Sequence, residues 1–298
     1  MSTAEEKRSA LRERLAGTNP VVAVGAHDAM TAQLIEAHNF DAVWVSGLGV
    51  STMQYALPDL NLVTMSEMLA AAGRIDAATS LPVVVDCDNG YGGLSNLVRA
   101  VREFERLGIA AICVEDNDFP KRNSLFLGET DRALIPAREQ ARRIRAAKGA
   151  QASEGFVLIA RVEALIAGLG VADACERADA YVAAGADAIL IHSRDKTLSD
   201  IEGFLAEWSG TGSVPLVAVP TLYPTFTVEQ LGTKGFRLVI FANQTMRAAV
   251  RAMEETLQTL SSEKNAAAVD PTIVPVNHIF DLVQTQQAIA LEESVDPA

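Results

Sequence analysis

The chain has 298 residues, 49% of them hydrophobic, and a formal net charge of −13 at pH 7. That length allows one large α/β domain or two small ones, with a sizeable core. The acidic balance argues against general affinity for nucleic acid or acidic membranes, yet leaves room for a local cation cluster that binds a small anion.

No apolar run reaches the roughly 20 residues of a membrane span, and the charged start, Met1-Ser-Thr-Ala-Glu-Glu-Lys-Arg8, carries no apolar signal region. Cys87, Cys113 and Cys175 are an odd number without metal-type spacing. They read as reduced core residues, and the expectation is a cytoplasmic protein.

After an N-terminal helical pattern, short apolar runs recur at residues 21–24, 39–45, 82–85, 108–114, 156–159, 185–191, 215–219 and 235–241. Four of them, at 39, 108, 185 and 235, open on Asn or Gly, residues that suit a left-handed helix cap. Nearly continuous apolar character suits strands buried on both faces. Helical periodicity fills residues 65–79, 94–107, 137–148, 171–184 and 245–260.

Strand and helix thus alternate eight times within about 250 residues, which predicts an α/β fold of the (β/α)₈ TIM-barrel type. A doubly wound open sheet is the alternative, but no Gly-rich dinucleotide fingerprint follows the first strand. Residues 261–298 exceed what a closed barrel needs. Residues 276–291 read as one further amphipathic helix after a turn at Pro271 and Pro275, and residues 262–265 as an exposed connector. The expectation is a single barrel domain, 1–298, with a helical extension that caps the barrel or packs on a second subunit.

In this fold the residues just past the strand C-termini form the active face. In order they are His27-Asp28, Ser46-Gly47, Asp86 and Asp88, Glu115-Asp116, Arg161 and Glu163, His192-Ser193, Thr221 and Asn243. Strand ends meet solvent and are often polar, but clusters of like charge at this density repel one another unless a ligand is bound. If residues 86–88 are extended, Asp86 and Asp88 point to one side and Cys87 to the other. With Glu115 the two form a hard-oxygen cluster suited to Mg²⁺.

Ser46-Gly-Leu-Gly49 lets a ligand approach backbone N–H groups able to hold a carboxylate or enolate oxygen. Residues 115–124 open a long stretch before the next helix near Ala137 and read as a lid carrying Lys121, Arg122 and Asn123, or else as a solvated loop. Arg161 suits bidentate anion binding or a structural pair with Glu163. His192 is a further donor or proton-transfer group. His38 and His278 lie on helical stretches and carry no signal.

Four motifs in this order and spacing resemble the isocitrate lyase and phosphoenolpyruvate mutase superfamily. They are Asp86-x-Asp-x-Gly-Tyr-Gly92, Glu115-Asp-x-x-Phe-Pro-Lys-x-Asn-Ser124, Ile159-Ala-Arg-Val-Glu-Ala-Leu-Ile-Ala-Gly168 and Gly185-Ala-Asp-Ala-Ile-Leu-Ile-His-Ser193. The likeness runs from about residue 20 to residue 290 and is strongest to the branch of phosphoenolpyruvate mutase and phosphonopyruvate hydrolase. It implies a modified barrel, Mg²⁺, a small anionic three-carbon phosphonate or phosphate substrate, and a homo-oligomer, dimer or tetramer, that exchanges its eighth helix.

By the same resemblance Mg²⁺ sits near Asp86, Asp88 and Glu115, in part through water. Ser46, Gly47 and Leu48 hold the carboxylate or enolate, while Arg161, His192, Lys121 and Asn123 grip the phosphoryl group. Asp59 joins Lys121, Asn123, Arg161 and His192 as catalytic.

Lyases of the superfamily carry a catalytic Cys in the lid, where this chain has Asn123. The mutase pattern has Asn there and the hydrolase Thr. Asn123 therefore favours the mutase, whereas residues 55–61 and 191–197 look more like the hydrolase. Asn117 stands where both usually have Lys. The expected activity is an isomerase interconverting phosphoenolpyruvate and phosphonopyruvate. The alternatives are phosphonopyruvate hydrolysis, a related 2-oxo-acid lyase or hydrolase, and a non-catalytic keto-acid-binding paralogue.

Overall fold

The structure, a computed structural model, describes residues 2–126, 133–210 and 212–295. The chain divides into two compact units, residues 1–246 and 247–298. The first opens with α1 (Ala4–Ala16), capped by Thr3 and Glu6 in a reciprocal box. Eight strands follow: β1 (Val21–Ala26), β2 (Ala42–Val45), β3 (Val83–Asp86), β4 (Ala111–Glu115), β5 (Val157–Val162), β6 (Ala188–Ile191), β7 (Leu216–Ala218) and β8 (Phe236–Phe241). Each pairs in parallel with the next and β8 closes on β1, as expected of the (β/α)₈ barrel.

Around the barrel run α2 (Ala29–Ala37), α3 (Gly47–Tyr55), α4 (Met65–Ala77), α5 (Leu94–Leu107) and α6 (Ala137–Lys148). They are followed by α7 (Gly170–Ala183), α8 (Ser199–Glu207) and α9 (Val228–Thr233). Gly108 (φ +106°) and Gly185 (φ +100°) supply the left-handed turns before β4 and β6. Those turns are the basis of the repeat visible in the sequence.

Strand alternation then sorts the side chains. Ala23, Ala42, Trp44, Val84, Cys113, Ile159, Leu190 and Ile240 fill the barrel interior together with Leu11 and Leu15 of α1. Their neighbours Val24, Val43, Val85, Val114 and Ile189 pack outward with the helix faces. The same parity turns the last inward residues, Ser46, Asp86, Glu115, Arg161 and His192, into the barrel mouth.

The second unit holds most of α10 (Gln244–Glu263), two short 3₁₀ turns, α11 (Val276–Leu282) and α12 (Thr285–Val295). Two points differ from the sequence reading. The connector expected at 262–265 is helical through Glu263. The single helix expected over 276–291 is two helices, broken after Val283 where Gln284 takes φ +56°. Among the described residues of this unit, Met253, Leu257, Ile279, Phe280, Val283 and Leu291 are exposed.

Candidate active site

A small cavity, with about 60 Å³ of space for water-sized groups, opens at the C-terminal ends of the strands. Its walls include Ser46, Leu48, Asp59, Asp86, Glu115, Lys121, Asn123, Arg161, His192, Thr221 and Asn243. The expected ring of strand ends is therefore a shared surface. Trp44, Val219 and Ala242 add apolar wall. They belong to the interior strand pattern and carry no polar signal that would have marked them.

The Ser46–Gly49 segment, read as a loop, is the first turn of α3. Ser46 caps it, its Oγ accepting from the Gly49 N–H at 3.0 Å. Helical N-termini leave their first N–H groups without intrahelical acceptors and favour anions; of the first two residues of α3, Leu48 lines the cavity and Gly47 does not. A side chain at Gly47 would crowd the acidic pole. A Cβ there would lie 3.1 Å from Asp88 Oδ1 and 3.3 Å from Asp86 Oδ2.

The acidic pole is built differently from the extended reading. Asp88 adopts φ +49°, so residues 86–88 are not extended, and both carboxylates converge on Gly47 through a turn instead. Asp86 and Glu115 line the cavity, whereas Asp88 lies behind Lys121. It pairs with the Lys121 ammonium and accepts from Asn61 Nδ2 at 3.0 Å. Lys121 also reaches Asp59 Oδ1 at 2.8 Å. Cys87 is fully buried in the outer core, facing away from the site as expected.

Burial pushes the Asp88 carboxyl up to about 6, with the Lys121 charge opposing. Burial likewise pushes Glu115 up to about 8, with Arg161 opposing. Glu115 Oε1 is buried with no hydrogen-bond partner. Glu115, with Asp86 beside it in the cavity wall, offers oxygen donors of the kind that fit a hard divalent cation, while Asp88 already faces Lys121. Among the described residues no three His, Cys, Asp or Glu side chains form a ready-made metal cage. Magnesium, which keeps several of its waters, does not need one.

At the opposite pole Glu163, fully buried, is the hub. It accepts from Arg161 Nε at 2.5 Å and from Ser124 Oγ at 2.7 Å, and its Oε1 lies 3.0 Å from His192 Nδ1, which is also 2.9 Å from Arg161 NH2. Burial would raise its carboxyl, but Arg161 and His192 outweigh that and hold it below the usual carboxylate range. Arg161 also donates to Ser124 Oγ at 2.6 Å, and its NH1 lies 3.5 Å from Glu115 Oε2. Arg161 therefore pairs with Glu163, one of its two sequence readings, and also lines the cavity.

Residues 121–126 of the stretch read as a lid are tied to the site by hydrogen bonds. Asn123 Nδ2 donates to Asp59 Oδ2 at 2.6 Å, and the Lys121 N–H donates to Asn61 Oδ1 at 2.6 Å. Arg194 donates to the carbonyls of Ser124 at 2.8 Å and Phe126 at 3.0 Å. Asn61 and Arg194 were not singled out in the sequence. Their contacts span 60 and about 70 positions of chain, which local patterns do not register.

Arg122, the third lid residue expected to face the anion, does not line the cavity. Asn117 does not reach it either. It bridges to Leu134 at the base of the lid, beside the bond from Ile135 N–H to the Asp116 carbonyl. Residues 127–132, part of the long stretch between the lid at 115–124 and α6, lie outside the described residues. His27 and Asp28 lie outside the cavity lining.

The sequence model of the family described as phosphoenolpyruvate phosphomutase matches residues 11–261. The chain is 38% identical over 257 residues to a phosphoenolpyruvate phosphomutase of Tetrahymena pyriformis, covering 86% of this chain and 84% of that one. It is 39% identical to a phosphonopyruvate hydrolase of Variovorax sp. (strain Pal2), covering 96% and 98%. A solved phosphonopyruvate hydrolase, in complex with oxalate and Mg²⁺, superposes with a TM-score of 0.89 at 38% identity over 98% of both chains. With a family match over most of its length and the strand-end site on the same barrel, the chain belongs to the phosphoenolpyruvate phosphomutase family, within the isocitrate lyase superfamily.

Proposed function

We propose that the chain is a Mg²⁺-dependent phosphoenolpyruvate mutase that interconverts phosphonopyruvate and phosphoenolpyruvate. The observation that carries this reading is Asn123, an amide donor on the lid, lining the cavity and braced by Asp59 at 2.6 Å. A fixed amide in the cavity wall suits holding a phosphoryl group for return, and a lid over the mouth would keep bulk water out.

Asp86 and Glu115 would hold the metal, with Asp88 acting through water because Lys121 already engages it. Bound there, Mg²⁺ supplies Lewis-acid polarisation of the 2-oxo group and charge for the enolate. The remaining work falls to the chain. The N–H groups of Gly47 and Leu48 bind the carboxylate end at the start of α3. Arg161 and His192, set by Glu163, bind the phosphoryl oxygens, and Lys121 balances the charge between Asp59 and Asp88. The P–C bond opens with its electron pair left on the enolate. The phosphoryl group, held by Arg161, His192 and Asn123, then rejoins at the enolate oxygen.

Phosphonopyruvate hydrolysis is the second reading, favoured by the near-equal identity to a hydrolase. Product analysis after incubating phosphonopyruvate with protein and Mg²⁺ separates the two. Phosphoenolpyruvate supports the first, phosphate and pyruvate alone support the second, and an unchanged substrate overturns both.

We also propose that the chain acts as a single barrel domain with its C-terminal extension, in the cytoplasm, as a homo-oligomer that exchanges C-terminal helices. The exposed Ile279, Phe280 and Leu291 support the last of these, being apolar surface that a second subunit would cover.

A further inference from the structure

The metal pole, the anion pole and the lid account for one side of the cavity. The far side is formed by the ends of β7 and β8, where Val219 and Ala242 are apolar and only Thr221 and Asn243 are polar. Asn243 is 4% exposed, and its Oδ1 is buried without a hydrogen-bond partner. Its Nδ2 donates to Thr221 Oγ1 at 3.3 Å. A hydroxyl that accepts there keeps its own proton for another partner. The pair therefore presents one acceptor, Asn243 Oδ1, and one donor, the Thr221 hydroxyl, to the same small space.

That pairing selects its occupant. The oxygens of a phosphonate or carboxylate are acceptors and would face Asn243 Oδ1 unfavourably, while the cationic donors suited to them, Lys121 and Arg161, stand on the other walls. A water molecule both donates and accepts, and a buried water needs 2–4 polar partners, which this pair begins to supply. We infer that Thr221 and Asn243 form a water-holding subsite in the cavity wall, and that the water kept there sets the share of phosphate among the products.

This rests on the reading that phosphonopyruvate is the substrate. A water already inside the lid can intercept the phosphoryl group before it returns to the enolate. The water oxygen bonds to phosphorus as the P–C bond breaks, and the electron pair of that bond stays on C3. One water proton ends on C3 to give pyruvate, and the other stays on the phosphate. Lid closure alone then does not decide between mutase and hydrolase outcomes, because one water is enclosed with the substrate.

Two measurements test the inference. In phosphorus NMR, Thr221→Val and Asn243→Leu should lower the phosphate-to-phosphoenolpyruvate ratio at least fivefold against wild type. An unchanged ratio in both, a raised KM with an unchanged ratio, or a wild-type mixture without phosphate overturns it. Independently of turnover, a crystal structure of the wild-type chain with Mg²⁺ and oxalate should show an ordered water within hydrogen-bond distance of Asn243 Oδ1 and Thr221 Oγ1, absent in Thr221→Val. No water in the wild type overturns the subsite even if turnover is seen. A wild-type chain inactive on phosphonopyruvate but holding the water overturns the substrate reading and the claim about products, and leaves the water subsite supported.

Discussion

Replacing Glu163 with Gln perturbs the anion pole while nearly conserving volume. Glu163 is fully buried, is the shared acceptor of Arg161 and Ser124 and contacts His192, so the change leaves the Arg161 charge without its nearest counter-ion. Breaking a buried pair by removing one partner costs about 3–5 kcal/mol. Glu115 Oε2, 3.5 Å from Arg161 NH1, offsets part of this, which places the loss near the lower bound. At roughly 2–4 °C per kcal/mol for domains of somewhat smaller size, the melting temperature should fall by about 6–12 °C.

The released Arg161 and His192 should also cost about 100-fold in kcat, the scale of an ångström-sized misplacement of catalytic groups. The pH dependence has a definite sign. Glu163 titrates below the ordinary carboxyl value of 4.5, so its stabilisation is present above that pH and is lost as pH falls through its folded-state value. Thermal melts of wild type and variant should differ most between neutral pH and about pH 5 and converge under more acidic conditions. A gap that widens on acidification, or a variant that melts within a degree of wild type with full activity, would refute the hub role of Glu163.

Three further outcomes are expected. Asn123→Thr should raise the phosphate share severalfold by weakening the grip on the phosphoryl group, read by product analysis, and no change in either rate or share sinks the lid-amide argument. Gly47→Ala should weaken Mg²⁺–oxalate binding about tenfold, or ~1.4 kcal/mol, because its Cβ would crowd Asp86 and Asp88. Calorimetric titration checks this, with the melting temperature as control. Tyr181→Phe removes a 2.7 Å bond to the fully buried Asp116 and should cost about 1–3 kcal/mol, seen in urea unfolding as a lowered midpoint at constant slope.

Much of this architecture is legible in the chain because the barrel repeats a simple pattern. Apolar runs flanked by Gly108 and Gly185 mark buried strands, and strict alternation then turns Asp86, Glu115, Arg161 and His192 into one mouth. Helices α5 and α6 match their periodic stretches residue for residue. Helix α3 escapes notice because Gly47-Leu-Gly-Val50 has poor intrinsic propensity, and the Ser46 cap starts the helix regardless. The break between α11 and α12 is a single left-handed residue, Gln284, with neither Gly nor Pro to announce it.

The site is less readable than the fold. Asn61 and Arg194 reach it through bonds across roughly 60 to 70 residues of chain. Only the assembled barrel brings those residues together. The placement of Asp88 behind Lys121 likewise follows from a left-handed turn that its motif does not advertise.

The central claim, that this site opens a P–C bond and hands the phosphoryl group back to the enolate oxygen, is tested most directly by a phosphorus NMR time course. The chain is mixed with phosphonopyruvate, first in the presence of a chelator and then after excess Mg²⁺ is added. The account predicts a stable phosphonopyruvate resonance until Mg²⁺ is present, then its replacement chiefly by phosphoenolpyruvate. Phosphate as the sole product, or no change after Mg²⁺, would contradict it.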